Sequence, residues 1–187
     1  MGNFYVNYTI RDVTQVELAA VMAGRRAIVS PESNGEVVVF DKASDRQDQK
    51  QITWLGAKLS GDLRRAVLRV LNHDDDILWY QLHIAGALAD EYDSCLDYFD
   101  FDGVGEMSGP KGGDAAVLCR TFESEQVEYV EQVLRKPGLE YVFEFQRHAD
   151  LFEALNLPDF SVGNSYASFG SGGRGEGMPA GEIIRTS

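Results

Sequence analysis

The sequence predicts an α+β fold, with a mainly antiparallel sheet and helices on one face of it. Three patterns predict this class. Apolar and polar residues alternate over residues 3–10, as they do in a half-buried strand. The stretch TQVE at 14–17 has the spacing of a capping box and precedes an apolar run, which predicts a helix. The Asn34-Gly35 pair separates two apolar runs, and such a pair favours a β-hairpin.

The remaining elements follow from the helical or alternating spacing of apolar residues. In order they are a helix over 48–60, the strands RAVLRVL, ILWYQLHI and ALADEYDS, a glycine-rich loop over 95–113, helices capped by Asp114 and Ser124, and a short helix over 146–156. The first six elements have the β-α-β-β-α-β order of ferredoxin-like folds, and the C-terminal part is helical. We assign residues 1–169 to a single α+β domain and residues 170–187 to a Gly-rich flexible tail.

Composition indicates one folded, soluble domain. The chain has 187 residues, of which 44% are hydrophobic and 25% charged, and it has no apolar run long enough to span a bilayer. No secretory signal is visible, and Cys95 and Cys119 are too few for a disulfide scaffold, which predicts a cytoplasmic protein with reduced thiols. The net charge of -13 argues against nucleic acid and anionic membranes as partners, since both require basic residues.

The acidic charge is concentrated in one segment. Residues 70–110 contain no Lys or Arg but ten Asp and Glu residues, and the part DEYDSCLDYFDFDG alternates acids with aromatic and aliphatic side chains. Exposed aromatic residues favour a partner, and carboxylates attract basic surfaces. We therefore predict a non-enzymatic interaction domain that presents this segment to a basic protein partner. The predicted contact residues are the anchors Tyr92, Tyr98, Phe99 and Phe101 and the steering carboxylates Asp93, Asp97, Asp100 and Asp102.

The alternative function is a metal-assisted hydrolase that uses these carboxylates with His73 or His83. The stretch NHDDD, which contains His73, lies between two predicted strands, and its Asn and Asp residues are typical of a turn. Asp100-Phe101-Asp102-Gly103 matches only the middle of an EF-hand loop and lacks two of its ligands, so a looser carboxylate site is the most it can form. The sequence assigns no catalytic residue, metal or cofactor. A third hypothesis is self-association through ALADEYDS as an edge strand.

The stretches LNHDDDILWYQLHIAG, DEYDS, GGDAAVLC and RHADLFEALNLP resemble segments of an uncharacterised family of bacterial proteins of unknown function and similar size. The resemblance covers residues 65–169, which is most of the predicted domain. It implies a bacterial, cytoplasmic, single-domain protein. It implies no activity and transfers no site residues.

Overall fold

A computed structural model describes residues 2–98, 108–137, 141–169, 173 and 177–187. The strands in this part of the chain are β1 (Phe4–Arg11), β2 (Ala27–Val29), β3 (Glu36–Asp41), β4 (Ala66–His73), β5 (Ile77–Ile84), β6 (Ala87–Asp93), β7 (Lys111–Gly112) and β8 (Ile184–Thr186). The α-helices are α1 (Gln15–Val21), α2 (Gln49–Leu63), α3 (Ala115–Phe122), α4 (Val127–Arg135) and α5 (Glu144–Ala154). Short 3-10 helices cover Ser44–Arg46, Asp159–Ser161 and Ala167–Phe169.

The strands form one open sheet in the order β7-β6-β5-β4-β1-β3-β2-β8, and every pairing is antiparallel. The predicted α+β class and antiparallel sheet are therefore confirmed. In the described residues, no helix combines the length and apolar character needed to cross a membrane.

Helices pack on both faces of the sheet. On one face, Leu18 of α1 and Leu55 of α2 pack against Val6 and neighbouring strand residues. On the other face, Leu118 of α3 and Phe152 of α5 belong to a second cluster with strands β4 and β5. The predicted placement of all helices on one face is therefore not confirmed, because alternate side chains of the same strands enter two separate apolar clusters.

Local turn and capping signals act as the sequence predicts. The Thr14 hydroxyl accepts a hydrogen bond from the Glu17 backbone N–H, and the Glu17 carboxylate accepts one from the Thr14 backbone N–H, which completes the capping box. Asn34 and Gly35 both have positive φ, at 56° and 85°, and join β2 to β3 as a hairpin. The prediction of a hairpin at this pair is confirmed.

The end of the chain is part of the sheet. β8 pairs with β2, with Ile28 opposite Arg185, and Met178 packs into a third apolar cluster with Phe40 and Phe160. Residues 177–187 therefore do not form the loose tail predicted from their glycine content. The physical reason is that β2 leaves an edge open, and the backbone groups of Ile184–Thr186 satisfy it.

Candidate functional site: an acidic groove at the tip of the sheet

The stretch NHDDD forms the tip of the β4–β5 hairpin. Asp74 and Asp75 adopt left-handed backbone conformations, with φ of 54° and 61°, and the Asp76 N–H donates to the His73 carbonyl at 3.1 Å. Asp tolerates this conformation better than most residues because its short side chain bonds locally. The turn leaves Asp74 and Asp76 exposed at one end of the sheet, whereas Asp75 is only 6% exposed.

The N-terminal segment lies against this tip. The Gly2 N–H donates to Asp74 Oδ1 at 3.0 Å, and the Asn3 N–H donates to Asp75 Oδ2 at 3.0 Å. A Cβ on Gly2 would lie 2.1 Å from the Asp74 carbonyl oxygen, so only glycine fits there. The Asp75 carbonyl in turn accepts a hydrogen bond of 2.8 Å from the Glu144 N–H at the start of α5.

Exposed apolar side chains form the other wall. Val142 is 76% exposed and Phe143 is 46% exposed, and Phe143 stacks on Phe145 with ring centres 5.9 Å apart. Phe4, 49% exposed, packs edge-on against His73 beside them. We call the resulting concavity of about 470 Å³ the acidic groove, and it is lined by Gly2, Asp74, Asp75, Asp76, Val142, Phe143 and Phe145.

The charge of the acidic groove is not neutralised within the described residues. The donors to Asp74 and Asp75 are backbone N–H groups and the Asn3 side-chain amide, and the donor to Asp76 is the Tyr98 hydroxyl at 3.0 Å. None of these donors carries a positive charge. In the described part of the chain, no Lys or Arg forms an ion pair with the three carboxylates. The exposed carboxylates of Asp74 and Asp76 are therefore available beside an apolar surface, whereas both oxygens of the buried Asp75 carboxylate accept hydrogen bonds from Asn3.

Tyr98 is the predicted anchor that reaches this site. Its ring lies 5.7 Å from that of His73, and burial, followed by the hydrogen bond to Asp76, raises its pKa to about 12. The neighbouring Asp97 faces elsewhere, because its carboxylate accepts a hydrogen bond of 3.2 Å from the Ser108 N–H. Phe99, Asp100, Phe101 and Asp102, and with them the calcium-like stretch, lie outside the described residues.

Tyr92 is not an exposed anchor. It has no exposed surface, and its ring stacks on Tyr80 with centres 5.4 Å apart in the cluster under α3, α4 and α5. Its prediction as a contact residue is wrong for the folded chain. The reason is its register in β6: Tyr92 pairs with Tyr80 and shares that residue's covered face.

Asp93 lines a different cleft, of about 450 Å³, together with Trp79 and Glu91. The carboxylates here bond neighbouring groups: Asp93 accepts from the Cys95 N–H at 2.9 Å, and Glu91 accepts from Trp79 Nε1 at 3.0 Å. Burial raises the pKa of Asp93. These hydrogen bonds give Asp93 and Glu91 a structural role in and beside β6.

The two candidate histidines lie at different places in the fold. His73 Nδ1 lies 2.5 Å from Gln47 Oε1, whereas His83 is buried under α2, with its Nδ1 3.5 Å from where a Cβ on Gly56 would stand. Burial lowers the pKa of His83. Within the described ranges, no group of three or more His, Cys, Asp or Glu residues is arranged to hold a metal ion. The residues that the structure describes therefore supply no observation that favours the metal-assisted hydrolase, and Asp100 and Asp102 lie outside them.

Sequence reasoning missed the apolar half of the acidic groove. Val142, Phe143 and Phe145 belong to EYVFEF, whose pattern fits either a short strand or the lead-in to a helix, and Phe4 is one of the apolar residues that alternate over residues 3–10. The structure has no strand at residues 141–143; Val142 and Phe143 lie in a bend that leads directly into α5. The one local signal is the run of unpaired acids in NHDDD, which sequence analysis assigned to a turn.

Comparisons with protein-family models, with curated proteins and with solved structures give no match.

Proposed function

We propose that this protein is a non-enzymatic binding domain whose acidic groove takes a basic segment of a protein partner. The observation that carries the proposal is the position of exposed Asp74 and Asp76, without basic partners in the described residues, in the same groove as exposed Val142 and Phe143. The partner segment would carry Lys or Arg next to at least one apolar side chain.

Charge and apolar surface have separate roles in this proposal. Unpaired carboxylates attract a basic partner over several ångströms and raise the association rate. Exposed aromatic and aliphatic side chains supply the free energy of burial once contact is made. Tyr98, half-buried against His73, extends the surface toward the segment that the sequence singled out.

The groove is also held rigidly, which favours binding because less conformational entropy is lost. The backbone N–H groups of Gly2 and Asn3 donate hydrogen bonds to the side chains of the tip, and the Glu144 N–H donates one to its backbone. Preorganised walls of this kind suit recognition of a short segment.

The proposal retains two further expectations from the sequence. A cytoplasmic location is supported by Cys95 and Cys119, which are both buried and free. A ferredoxin-like N-terminal unit is supported by the antiparallel neighbours β4-β1-β3-β2, with α1 and α2 on the same face.

Fluorescence anisotropy with labelled peptides tests the proposed function. The probes are a Lys/Arg peptide with one Phe, the same peptide with Phe replaced by Ser, and an acidic counterpart. We expect the first peptide to bind tightest and to weaken as salt rises. The double variant D74N/V142S should weaken its binding by at least about tenfold, which corresponds to about 1.4 kcal/mol.

A matched control comes from the chain itself. E125Q/V16S removes one exposed carboxylate and makes the same Val-to-Ser change at a site that is 69% exposed, away from the groove. Its affinity should stay within about twofold of the unmodified chain. Equal weakening by both double variants would mean that overall charge binds the peptide, and no weakening by D74N/V142S would remove the groove from the binding surface.

A further inference from the structure

A second cleft carries the opposite charge. Its volume is about 380 Å³, and it lies where the α1–β2 connection meets the end of β3 and the first turn of α2. Four of the chain's 17 Lys and Arg residues line it, in a molecule with a net charge of -13. We call it the basic cleft, and its cations are Arg25, Arg26, Lys42 and Arg46.

Arg25 and Asp41 form the fixed floor of the basic cleft. Arg25 donates to both oxygens of Asp41, at 3.0 and 2.8 Å, and Asp41 is 1% exposed. Asp41 Oδ2 also accepts from the Ser44 N–H and the Ser44 hydroxyl, at 3.0 and 2.8 Å. The Asp41 carboxylate is therefore fully occupied and neutralises Arg25.

The other three cations of the basic cleft have no ion-pair partner in the described residues. They are Arg26, Lys42 and Arg46, and all three are exposed. Their backbones are anchored: the Lys42 N–H donates to the Arg26 carbonyl at 2.9 Å, and the Arg46 N–H donates to the Ala43 carbonyl at 3.3 Å. The cleft thus holds a net positive charge on two adjoining, hydrogen-bonded segments.

An exposed aromatic ring stands at the rim. Trp54 is 53% exposed, and the guanidinium carbon of Arg25 lies 5.8 Å from the centre of its ring. Trp54 follows Gln51, which lines the cleft, by three residues on α2, so both lie on one side of that helix. A ligand held by the cations would have a planar apolar surface next to it.

We propose that the basic cleft binds a small organic phosphate monoester, with the phosphate on Arg26, Lys42 and Arg46 and the organic part against Trp54. A phosphate dianion matches several unpaired guanidinium and ammonium groups, which form charge-assisted hydrogen bonds to it. A long polyanion is disfavoured, because the acidic remainder of the surface repels it. This site is separate from the acidic groove and does not depend on the proposed function.

Titration calorimetry and ¹H–¹⁵N spectra test the proposal, with inorganic phosphate and phenyl phosphate as probes. We expect both to bind, phenyl phosphate more tightly, with shifts confined to the backbone amides of residues 24–26 and 42–46 and the Trp54 indole N–H. R26Q/R46Q should lower the affinity for both probes by at least about tenfold. W54A should lower the affinity for phenyl phosphate to that for inorganic phosphate, and it should leave the affinity for inorganic phosphate unchanged.

The charge-matched control is R64Q/R120Q. Both residues are exposed and form no ion pair in the described ranges; Arg64 follows the far end of α2, and Arg120 is on α3 under the other face of the sheet. Affinity for both probes should stay within about twofold of the unmodified chain. Absence of phosphate binding, or equal loss in the two double variants, would overturn the proposal. Tighter binding of an oligonucleotide or a poly-Glu peptide, or association between copies that R26Q/R46Q abolishes, would assign the cleft to a macromolecule instead.

Discussion

Glu36 is a buried acid at the boundary between β3 and α3. It is 2% exposed, its Oε1 lies 3.3 Å from Arg11 Nη1, and its Oε2 has no hydrogen-bond partner in the described structure. Arg11 also pairs with Glu123 at the end of α3, at 2.8 Å. Burial raises the pKa of Glu36 to about 7, against the opposing effect of Arg11.

This pKa makes the stability of the fold depend on pH. Between its ordinary pKa of 4.5 and about 7, the folded chain keeps a proton on Glu36 that the unfolded chain has lost. Stability from this group is therefore present at low pH and is lost as pH rises through that window. We expect E36Q to remove about 1–3 kcal/mol of the fall in unfolding free energy between pH 5 and 8, measured by urea unfolding. E125Q, at an exposed site, should leave the fall unchanged, and an E36Q curve parallel to that of the unmodified chain would refute the assignment.

Tyr92 carries a buried hydroxyl with no hydrogen-bond partner in the described structure. Y92F keeps the ring stacked on Tyr80 and removes the unpaired group, so unfolding free energy should stay equal or rise by up to about 1 kcal/mol. Y80F is the contrasting variant, because the Tyr80 hydroxyl donates to Asp90 at 2.7 Å, and it should lose about 1 kcal/mol. Chemical denaturation of both variants checks this, and a marked loss in Y92F would mean that its hydroxyl is bonded. Y92F should also bind the basic peptide normally.

At the scale of elements, the two residues of β7 depend on glycine geometry. Gly112 has φ of 73°, and a Cβ there would lie 2.2 Å from the Glu91 carbonyl oxygen. The Gly112 carbonyl also accepts from Arg135 Nη1 at 2.6 Å, which joins β7 to α4. β7 thus links β6 to α4 through its backbone hydrogen bonds.

We expect G112A to destabilise the fold by about 2–4 kcal/mol, since it combines an unfavourable backbone conformation with a backbone clash. Thermal unfolding would show it as a lower Tm. G109A is the matched control, because a Cβ on Gly109 meets nothing within 4 Å and its φ is not positive. A G112A chain as stable as G109A would mean that β7 contributes nothing to the fold.

Elements whose determinants lie within a few residues could be predicted from the sequence. The capping box of Thr14 and the Asn34-Gly35 hairpin are of this kind, because each is decided by local hydrogen bonds and dihedral angles. β8 could not be predicted, because three residues near the end of the chain have no strand signal until β2, more than 150 residues earlier, lies beside them. The acidic groove could be predicted from the sequence only in part, for the same reason. Its acids are consecutive, but Val142 and Phe143 come from a distant segment of the chain.

At the scale of the whole molecule, coverage of both sheet faces explains where pattern reasoning failed. Asn7 is one of the polar residues in the alternating stretch 3–10, yet it is fully buried and its side-chain amide donates to the Ser161 carbonyl at 2.7 Å. Residues 159–169 cover that face through Phe160 and Phe169. A polar residue in an alternating strand indicates a solvent-exposed face only when no later segment of the chain packs over that face.

The two charged concavities lie on different parts of the sheet. The acidic groove is at the β4–β5 tip, and the basic cleft is where β3 ends near α1 and α2. Each is lined by residues from more than one segment of the chain. A change in one site should therefore leave the other intact, which makes the two sets of variants independent tests.

The outer strands also determine how this sheet behaves among many copies of itself. In the described residues, β7 pairs with Tyr92 and Asp93 of β6 and with none of Ala87–Ala89, whereas β8 is the edge strand at the opposite end of the sheet. An open strand can template fibril growth, but here a bulge beside Leu82 and His83 interrupts its register, and Asp90 and Glu91 place like charges along it. We expect repulsion between those carboxylates to oppose extension of the sheet by neighbouring molecules.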